Sequence, residues 1–428
     1  MRGLPLLTIA RKLGCLLRRR IARAAGDDIR YWIDFTCEFD RNPGVQRVTR
    51  SLAHGFEELG EHVTYLSWSD ADHGPRPCTR RQLRNFSRWN GPRCSVFQKT
   101  PPARMRTNAP EKAGWLLVPE LTYWRIRGGH QEAWESDPVL MLSDYARAQH
   151  LKIAFLFYDL IPLRVPGYPQ LRALHERYVR QLAKADLILP ISRDAGLDLA
   201  RYFSETLGLE AKVLPRIIPQ PLAQEFLGCS RKTVYDAPAQ GPTTIMCVSH
   251  IEPRKNQVKL LEAFNAFCEE HPKVDVRLSL VGVTDLQLHN EVTAIARANP
   301  RVDLAGNVSD SDMIDRYHRT HFTVFPSVAE GFGLPIVESL WLARPCICAN
   351  FGAMAEVATD GGCLTIDTRS TSALKNALER MIFDRALRES LAADAIRRPM
   401  STWREYADRL LTILRGDMGD ARAISLNS

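Results

Sequence analysis

Several signatures that define other classes of protein are missing from these 428 residues. No uninterrupted apolar run approaches the roughly 20 residues that a membrane-spanning helix needs. The lack of a G-x-G-x-x-G motif argues against a nicotinamide-dependent dehydrogenase. The chain also has no aromatic-basic motif typical of RNA- or DNA-binding modules, so we expect no nucleic-acid partner.

The ten cysteines are scattered, with neither a C-x-x-C pair nor the spacing of metal ligands. Cys247, Cys346 and Cys348 lie in apolar, strand-like runs, where cysteine usually behaves as a small buried hydrophobic residue. This usage predicts reduced thiols and a cytosolic compartment.

What is present is ordinary for a soluble globular protein, with 45% hydrophobic and 25% charged residues. The length exceeds that of one ordinary core, so two domains are expected. The formal net charge of +8 predicts an anionic partner such as phosphate, nucleic acid or an acidic membrane surface.

Residues 1–30 predict a basic amphipathic helix. Its apolar positions recur at helical spacing: Leu6, Ala10, Leu13, Leu17 and Ile21. Basic residues fall mostly on the opposite side, a pattern typical of helices that lie in an anionic membrane interface. The alternative is a helix that packs on the N-terminal domain with a solvated basic face. A signal peptide is disfavoured because arginines interrupt the apolar stretch.

From Tyr31 onward, strand and helix patterns alternate, which predicts an α/β fold with parallel sheets covered by helices. We assign residues 31–220 to an N-terminal Rossmann-like domain and residues 243–400 to a C-terminal Rossmann-like domain. A proline-bearing linker at 221–242 joins them, and a terminal helix with its tail occupies 401–428.

The segment from Asp70 to Lys112 shows neither a helix nor a strand pattern. It holds many arginines, few acids and several prolines. Long irregular loops in a compact domain are usually functional or disordered. We interpret this segment either as a loop on the acceptor side or as a solvated, partly disordered surface.

The stretch from Thr323 to Leu342 carries the most informative motif of the sequence. A β-branched and aromatic run stops at Pro326, glycines follow at Gly331 and Gly333, and a helix begins near Pro335. A strand, a glycine-bearing turn and a helix aim free backbone N–H groups at an anion. Two carboxylates, Glu330 and Glu338, frame this turn.

This stretch resembles the glutamate pair of retaining GT-B glycosyltransferases of family GT4. The resemblance implies two Rossmann-like domains that face each other across a cleft, with a C-terminal helix that crosses back to the N-terminal domain. It also implies that Glu330 contacts the transferred sugar and that Glu338 binds the ribose. The donor-binding residues carried over from the same turn are Gly331, Phe332, Gly333 and Leu334.

Other loops agree with the resemblance in order along the chain. Arg254-Lys255-Asn256 resembles the family's clamp for the donor diphosphate, in which cations rather than a metal meet the leaving charge. No D-x-D run stands in a suitable loop, so no metal or cofactor is expected. Asp159 matches the family's active-site acid, although Tyr158 replaces the histidine that often precedes it. Asp159 could equally be a structural cap.

A glycine-bearing loop also follows the first predicted strand, where Gly44 precedes a helix and is predicted to approach the donor phosphate. The run Gly44–Arg50 resembles one found in bacterial polysaccharide mannosyl- and rhamnosyltransferases. It is the only ground for favouring mannose or rhamnose carried on GDP.

The sequence therefore predicts a retaining, metal-independent hexosyltransferase. It would move a sugar from a nucleotide-sugar to a polysaccharide or a lipid-linked glycan, with Glu330, Asp159, Arg254 and Lys255 as the catalytic residues. It would work in the cytoplasm, peripherally on the inner face of the membrane. The alternatives are a nucleotide-sugar 2-epimerase of GT-B fold and a non-catalytic sugar- or nucleotide-binding subunit of a glycan assembly complex.

Overall fold

The computed structural model describes residues 29–93, 114–135, 138–236, 238, 240–416 and 424. The chain divides into two compact units. The first unit contains the described residues within Met1–Phe155 and Leu411–Gly419, and the second contains those within Leu156–Leu410 and Asp420–Ser428. The domain boundaries predicted above, with a linker at 221–242, stay predictions.

The first unit is built on a mainly parallel sheet with strand order β3-β2-β1-β4-β7. These strands are β1 (Ile29–Trp32), β2 (Val63–Ser69), β3 (Gly74–Pro77), β4 (Trp115–Val118) and β7 (Lys152–Phe157), of which residues up to Phe155 belong to this unit. A separate antiparallel hairpin pairs β5 (Trp124–Arg127) with β6 (His130–Ala133). The helices are α1 (Gly44–Glu58), α2 (Arg80–Phe86) and α3 (Pro138–Ala148).

The second unit contains a six-stranded, wholly parallel sheet with strand order β12-β11-β10-β13-β14-β15. Two further parallel strands, β8 and β9, pair with each other. The strands are β8 (Leu187–Pro190), β9 (Arg216–Ile217), β10 (Thr243–Val248), β11 (Val276–Val281), β12 (Val302–Gly306), β13 (Phe322–Phe325), β14 (Cys346–Ala349) and β15 (Cys363–Ile366).

Helices alternate with these strands, as the sequence pattern predicts. They are α4 (Ile161–Arg164), α5 (Pro169–Leu182), α6 (Arg193–Arg201), α7 (Gln257–Glu270), α8 (His289–Arg297), α9 (Asp310–His318), α10 (Leu334–Trp341), α11 (Gly352–Ala358), α12 (Thr371–Phe383), α13 (Arg385–Arg397) and α14 (Trp403–Leu414). The fold class, α/β with two Rossmann-like domains, is confirmed.

Apolar periodicity explains why these elements pack as they do. In α1, the predicted inward face is fully buried at Val48, Leu52 and Phe56, while Gly60 follows the helix with a positive φ of 70°. In the second unit, side chains of α7, α12 and the central strands form one core, to which Phe264 and Val324 belong. The core holds both faces of the strands rigid and leaves their carboxyl ends to carry loops.

The last helix, α14, begins with the predicted cap. The Thr402 side chain accepts a hydrogen bond from the Glu405 N–H at 3.2 Å, and the Glu405 carboxylate accepts one from the Thr402 N–H at 2.8 Å. From Leu411 onward the helix belongs to the first unit, where the Trp115 indole donates to the Leu414 carbonyl at 2.6 Å.

Two expectations about the first unit need correction. The segment from Asp70 to Lys112 is not uniformly irregular, because β3 and α2 lie within it. The sequence pattern predicts the first strand at Tyr31–Phe35, whereas the structure has it at Ile29–Trp32. Residues 94–113 of the irregular segment lie outside the described residues.

Two strand predictions in the second part of the chain ran too long. The apolar, β-branched pattern of Val213–Ile218 predicts a strand, but only Arg216–Ile217 form one, and Ala211–Val213 form a 3₁₀ turn instead. Strand β7 ends at Phe157, so Asp159 lies in the turn that follows and not in the strand.

The predicted basic helix at the N-terminus lies outside the described residues. Within the part of the chain that is described, none of the helices combines the length and the apolar character needed to span a bilayer.

Candidate active site

The turn between β13 and α10 has the geometry that its glycines predict. Gly333 occupies the N-cap of α10 with φ of 113°, a conformation that side-chain-bearing residues rarely adopt. Gly331 is needed for a different reason, since a Cβ there would lie 2.3 Å from the Tyr158 carbonyl oxygen. No side-chain hydrogen bond caps α10, but Pro335 has no N–H and the Ile336 N–H donates to the Gly333 carbonyl at 3.0 Å. The start of this helix therefore attracts an anion mainly through the positive end of its dipole.

Glu330 is the centre of this turn and is largely buried, with 10% of its side chain exposed. Its carboxylate meets the Arg254 guanidinium at 3.0 Å and the Lys255 ammonium at 2.5 Å, and it accepts a hydrogen bond from the Ser327 hydroxyl at 2.6 Å. Burial acts to raise the pKa of Glu330, but the charges of Lys255 and Arg254 outweigh it and hold the pKa below its ordinary value.

Arg254 and Lys255 lie in the loop after β10, within a 3₁₀ turn formed by Pro253–Lys255. Asn256 ends this turn in the left-handed conformation, with φ of 62°, and its amide donates to the Thr368 carbonyl at 2.7 Å. The Lys255 ammonium also lies over the Phe325 ring, 5.2 Å from its centroid. In Arg254-Lys255-Asn256, the two cations supply charge, and the asparagine suits the left-handed backbone conformation that ends the turn.

Backbone hydrogen bonds join the loops after β10 and β13. The Val328 N–H donates to the Arg254 carbonyl at 2.9 Å, and the Ser327 hydroxyl oxygen lies 3.2 Å from the same carbonyl oxygen. The neighbouring strands β10 and β13 deliver both loops to one edge of the sheet. The structure thus brings Arg254, Lys255 and Glu330 together as predicted, although 75 residues separate Lys255 from Glu330.

Asp159 belongs to the same cluster. One of its carboxylate oxygens accepts the Ile161 N–H at 2.9 Å, and the other lies 3.1 Å from the Cβ position of Gly331. Burial raises the pKa of Asp159, against the opposing charge of Arg254. Asp159 is therefore an acid of the turn before α4, whose N-cap is Leu160, and it also feels the charge of Arg254.

His175 is a residue of this site that the sequence analysis missed. It is buried on α5, and its Nε2 lies 3.0 Å from the Asp159 carbonyl oxygen. Burial lowers its pKa, which favours the neutral imidazole. The chain therefore has a histidine beside Asp159 although Tyr158 stands where the family often has one.

Tyr168 and Glu252 were also missed, and both fix the Arg254 side chain. The Arg254 Nε donates to the Tyr168 hydroxyl at 3.0 Å, that hydroxyl donates to Glu252 at 3.1 Å, and Glu252 pairs with the Arg254 Nη2 at 2.8 Å. Glu252 stands only two residues before Arg254, so the sequence could have indicated that this acid pairs with the arginine. Tyr168 offered none, because its contact spans 86 residues.

The remaining donor-binding candidates lie in different surroundings. Glu338 is buried on α10, and the Tyr317 hydroxyl donates to its carboxylate at 3.3 Å. Phe332 is buried, and Leu334 is the first residue of α10. Gly44 is the exposed first residue of α1 in the first unit. The ligand contacts expected of these four residues stay predictions.

A small cavity of about 170 Å³ adjoins Glu330 and Asp159. Asp194 and Gly352 line it on another side, and each belongs to a helix start. The Glu356 carboxylate accepts the N–H groups of Arg193 and Asp194, both at 2.9 Å, which fixes the start of α6 against α11. This volume is below the 300–1,000 Å³ typical of drug-sized ligands and suits a single sugar ring.

No group of three or more potential metal-ligating side chains occurs among residues 29–93, 114–135 and 138–416 where these are described. The expectation of a metal-independent reaction stays a prediction.

Two Rossmann-like domains, with a cation pair and a buried glutamate at the carboxyl ends of parallel strands, define a GT-B glycosyltransferase fold. Sucrose-phosphate synthase from Thermosynechococcus elongatus has a similar structure, with a TM-score of 0.64 and 16% identity over 91% of this chain and 98% of that chain. At this identity the likeness establishes the fold alone.

Sequence comparisons add similarities to known glycosyltransferases. Residues 236–398 match the family of glycosyl transferases group 1. The serotype-specific mannosyltransferase WbdA of Escherichia coli is 25% identical over 258 residues, which cover 57% of this chain and 31% of WbdA. A phosphatidyl-myo-inositol mannosyltransferase of Mycobacterium tuberculosis is 28% identical over 195 residues, 45% of this chain and 46% of the relative.

The chain therefore matches less than half the length of each of these relatives. Its residues 236–398 resemble group 1 glycosyltransferases, and its relatives include bacterial mannosyltransferases.

Proposed function

We propose that this protein is a retaining mannosyltransferase that takes its sugar from a nucleotide-sugar, with GDP-mannose favoured. The observation that carries the proposal is the cluster of Arg254, Lys255 and Glu330 beside the N-terminus of α10. A diphosphate suits this position because two fixed cations and a helix dipole converge there. The similarity to mannosyltransferases supports the choice of sugar.

Breaking the bond between sugar and nucleotide leaves negative charge on the diphosphate. Arg254 and Lys255 would stabilise that charge in a buried setting, where a fixed cation commonly lowers the barrier by about 3 kcal/mol. In the structure these cations are neutralised by Glu330. A bound diphosphate would take over both cations and leave the Glu330 carboxylate to the sugar in the adjoining cavity.

The proposed acceptor is a polysaccharide or a lipid-linked glycan. We further propose that the enzyme works in the cytoplasm on the inner face of a membrane, held there by the basic amphipathic segment at residues 1–23. Each cation near an anionic surface contributes roughly 1 kcal/mol, so several would give binding that weakens with salt.

A panel of nucleotide-sugars tests the donor. We expect GDP-mannose to raise the thermal midpoint and to be hydrolysed slowly without an acceptor, more than UDP- or TDP-linked sugars. A nucleotide-sugar epimerised at C2 without any acceptor would instead establish an epimerase. Stabilisation by nucleotide-sugars with no turnover in the presence of any glycan would favour a binding subunit.

A further inference from the structure

Ile424 lies near the end of the sequence but packs within the second unit, against α6. Its N–H donates to the Ile217 carbonyl at 2.9 Å, so hydrogen bonding continues beyond β9, the last strand of its sheet. The outer edge of a sheet presents backbone groups that need a partner. Ile424 therefore covers this edge at the position of Ile217.

The Ile424 side chain occupies a notch that a glycine leaves open. A Cβ on Gly196 would lie only 2.7 Å from the Ile424 Cδ1. It would also lie 3.2 Å from the Cγ atoms of Pro190 and Pro219, which form the other walls. Gly196 is the fourth residue of α6 and its φ is not positive, so its backbone would accept alanine, the better helix former. Space for Ile424 and the two prolines explains the glycine.

The walls of the notch are held by β8 and the segment after β9. The Ile218 N–H donates to the Ile188 carbonyl at 3.0 Å, and the Gln220 N–H donates to the Pro190 carbonyl at 2.7 Å. These bonds fix Pro219 beside Pro190, and the ring of each proline is rigid. The notch is therefore a defined seat for one aliphatic side chain.

The other side of α6 lines the small cavity beside Glu330. Asp194 and Asp198 are one helical turn apart, and both line that cavity. Gly196 stands two positions from each of them, which is about 200° around the helix axis. The helix thus lies between Ile424 and the cavity, so a shift of α6 would move the cavity wall.

Polar contacts hold α6 on the cavity side. The Glu356 carboxylate binds the N–H groups of its first turn, and Arg164 pairs with Asp198 at 2.7 Å. On the back of the helix the support from Ile424 and the proline rings is apolar. This support can be changed without altering any charged group of the cavity.

We propose that Ile424 is a positioning residue, which fills the notch at Gly196 and thereby holds α6 where it shapes the cavity for the transferred hexose. The inference rests on the proposed transferase function, in which the hexose occupies this cavity. The donor diphosphate is assigned to Arg254 and Lys255, which are not part of α6. Loss of Ile424 should therefore weaken recognition of the sugar and leave recognition of the nucleotide unchanged.

The test compares the affinity of the full chain for GDP-mannose with its affinity for free GDP, both by titration calorimetry. Ile424→Ala should weaken GDP-mannose about tenfold, the loss expected for one hydrogen bond between the hexose and a charged group, and leave GDP within about twofold. Ile424→Val keeps a branched side chain and should restore most of the affinity. Val213→Ala is the matched control, because Val213 is an aliphatic residue just before β9 that is 57% exposed. It should change neither affinity.

A second variant approaches the notch from the other side. The methyl group of Gly196→Ala would displace the Ile424 side chain and should also weaken GDP-mannose about tenfold. In the double variant with Ile424→Ala, that methyl group no longer meets the Cδ1, so the loss should stay near tenfold. Independent effects would instead multiply to about a hundredfold.

Three results would overturn the inference. The first is unchanged GDP-mannose affinity in both single variants, and the second is a hundredfold loss in the double variant. The third is an equal weakening of GDP and GDP-mannose, which would indicate a general loss of structure rather than a shift of the cavity wall.

Amide hydrogen exchange without ligand separates this inference from the proposed function. Residues 193–201 should exchange faster in Ile424→Ala than in wild type, because α6 loses its support. Unchanged exchange would refute the positioning role even in a protein that transfers mannose. Faster exchange in a protein that neither binds nor consumes any nucleotide-sugar would refute the transferase proposal and leave the support of α6 by Ile424 established.

Discussion

Replacing Lys255 with alanine should remove a large share of the donor-site activity. The Lys255 side chain is 11% exposed and its ammonium lies between the Glu330 carboxylate and the Phe325 ring. A cation in such a setting is poorly screened by water. We therefore expect it to act strongly on any diphosphate that displaces Glu330.

The size of the effect follows from Coulomb's law. Two unit charges about 4 Å apart interact by about 4 kcal/mol at an effective dielectric constant of about 20. Mutational losses of one charge-stabilising donor are commonly about 3 kcal/mol, which is a factor of roughly 100 in rate. Lys255→Ala should thus lower kcat/KM for GDP-mannose by about a hundredfold or more.

The same change alters stability in a pH-dependent way. The pKa of Glu330 is held below its ordinary value of 4.5 by Lys255 and Arg254 against burial. Stabilisation by these ion pairs is therefore present above about pH 4.5 and is lost as the pH falls through the lower folded-state pKa. The difference in thermal midpoint between wild type and Lys255→Ala should be larger at pH 7 than below pH 4.

The assay is steady-state turnover with nucleotide release as the readout, beside thermal melts across pH. Lys259→Ala is the control, because Lys259 lies on α7, just after the turn that holds Lys255, and donates to the Arg369 carbonyl away from the cluster. It should stay within about twofold of wild type. Near-wild-type turnover by a folded Lys255→Ala protein would refute the diphosphate assignment.

Four further changes test other parts of the account. The Glu330→Gln variant should be impaired in transfer but should bind free nucleotide at least as tightly as wild type, because the two cations lose their carboxylate partner. The Glu338→Ala variant should bind free nucleotide more weakly. Equal nucleotide affinities of the two variants in titration calorimetry would contradict the separate roles of Glu330 and Glu338. Gly331→Ala should lower kcat/KM at least tenfold, since its Cβ would collide with a backbone oxygen 2.3 Å away; unchanged kinetics would show that the turn can move. Tyr168→Phe should lower kcat/KM about tenfold with little change in melting, because two hydrogen bonds that orient the arginine are lost; an equal loss of stability would indicate a structural role. Removal of residues 1–23 should abolish pelleting with anionic liposomes at low salt; equal pelleting of both forms would reject the membrane prediction.

Much of the cluster around Arg254, Lys255 and Glu330 could be predicted, because the backbone near it adopts conformations that only certain residues allow. Gly331 and Gly333 serve a close approach and a positive φ, and Asn256 takes the left-handed conformation after the cation pair. Such requirements leave a mark in the sequence at fixed spacing. The charged residues Arg254, Lys255 and Glu330 stand next to these positions in the sequence, so the same turns that were predicted also locate the charges.

Residues that reach the cluster from far along the chain left no comparable mark. Tyr168 and His175 come from α5 and the loop before it, and only the folded chain brings them to Arg254 and Asp159. A tyrosine or histidine on a helix reads as an ordinary partly buried residue. Their roles depend on contacts that no periodicity encodes.

The segment after Asp70 shows a different limit. The strand β3 reads Gly-Pro-Arg-Pro, and its two prolines are tolerated because it is an antiparallel edge strand. Helix α2 has only Leu83 and Phe86 buried, too few for a clear period. Its capping box, Thr79 with Gln82, was the signal that could have revealed it.

The most direct test of the central claim is transfer itself. The full chain is incubated with GDP-mannose and a neutral manno-oligosaccharide, and the products are analysed by mass spectrometry and by NMR of the new anomeric proton. We predict an oligosaccharide longer by one hexose with the α-configuration of the donor retained, and no such product from Glu330→Gln. Consumption of GDP-mannose without any elongated glycan, or a product with inverted configuration, would contradict the account.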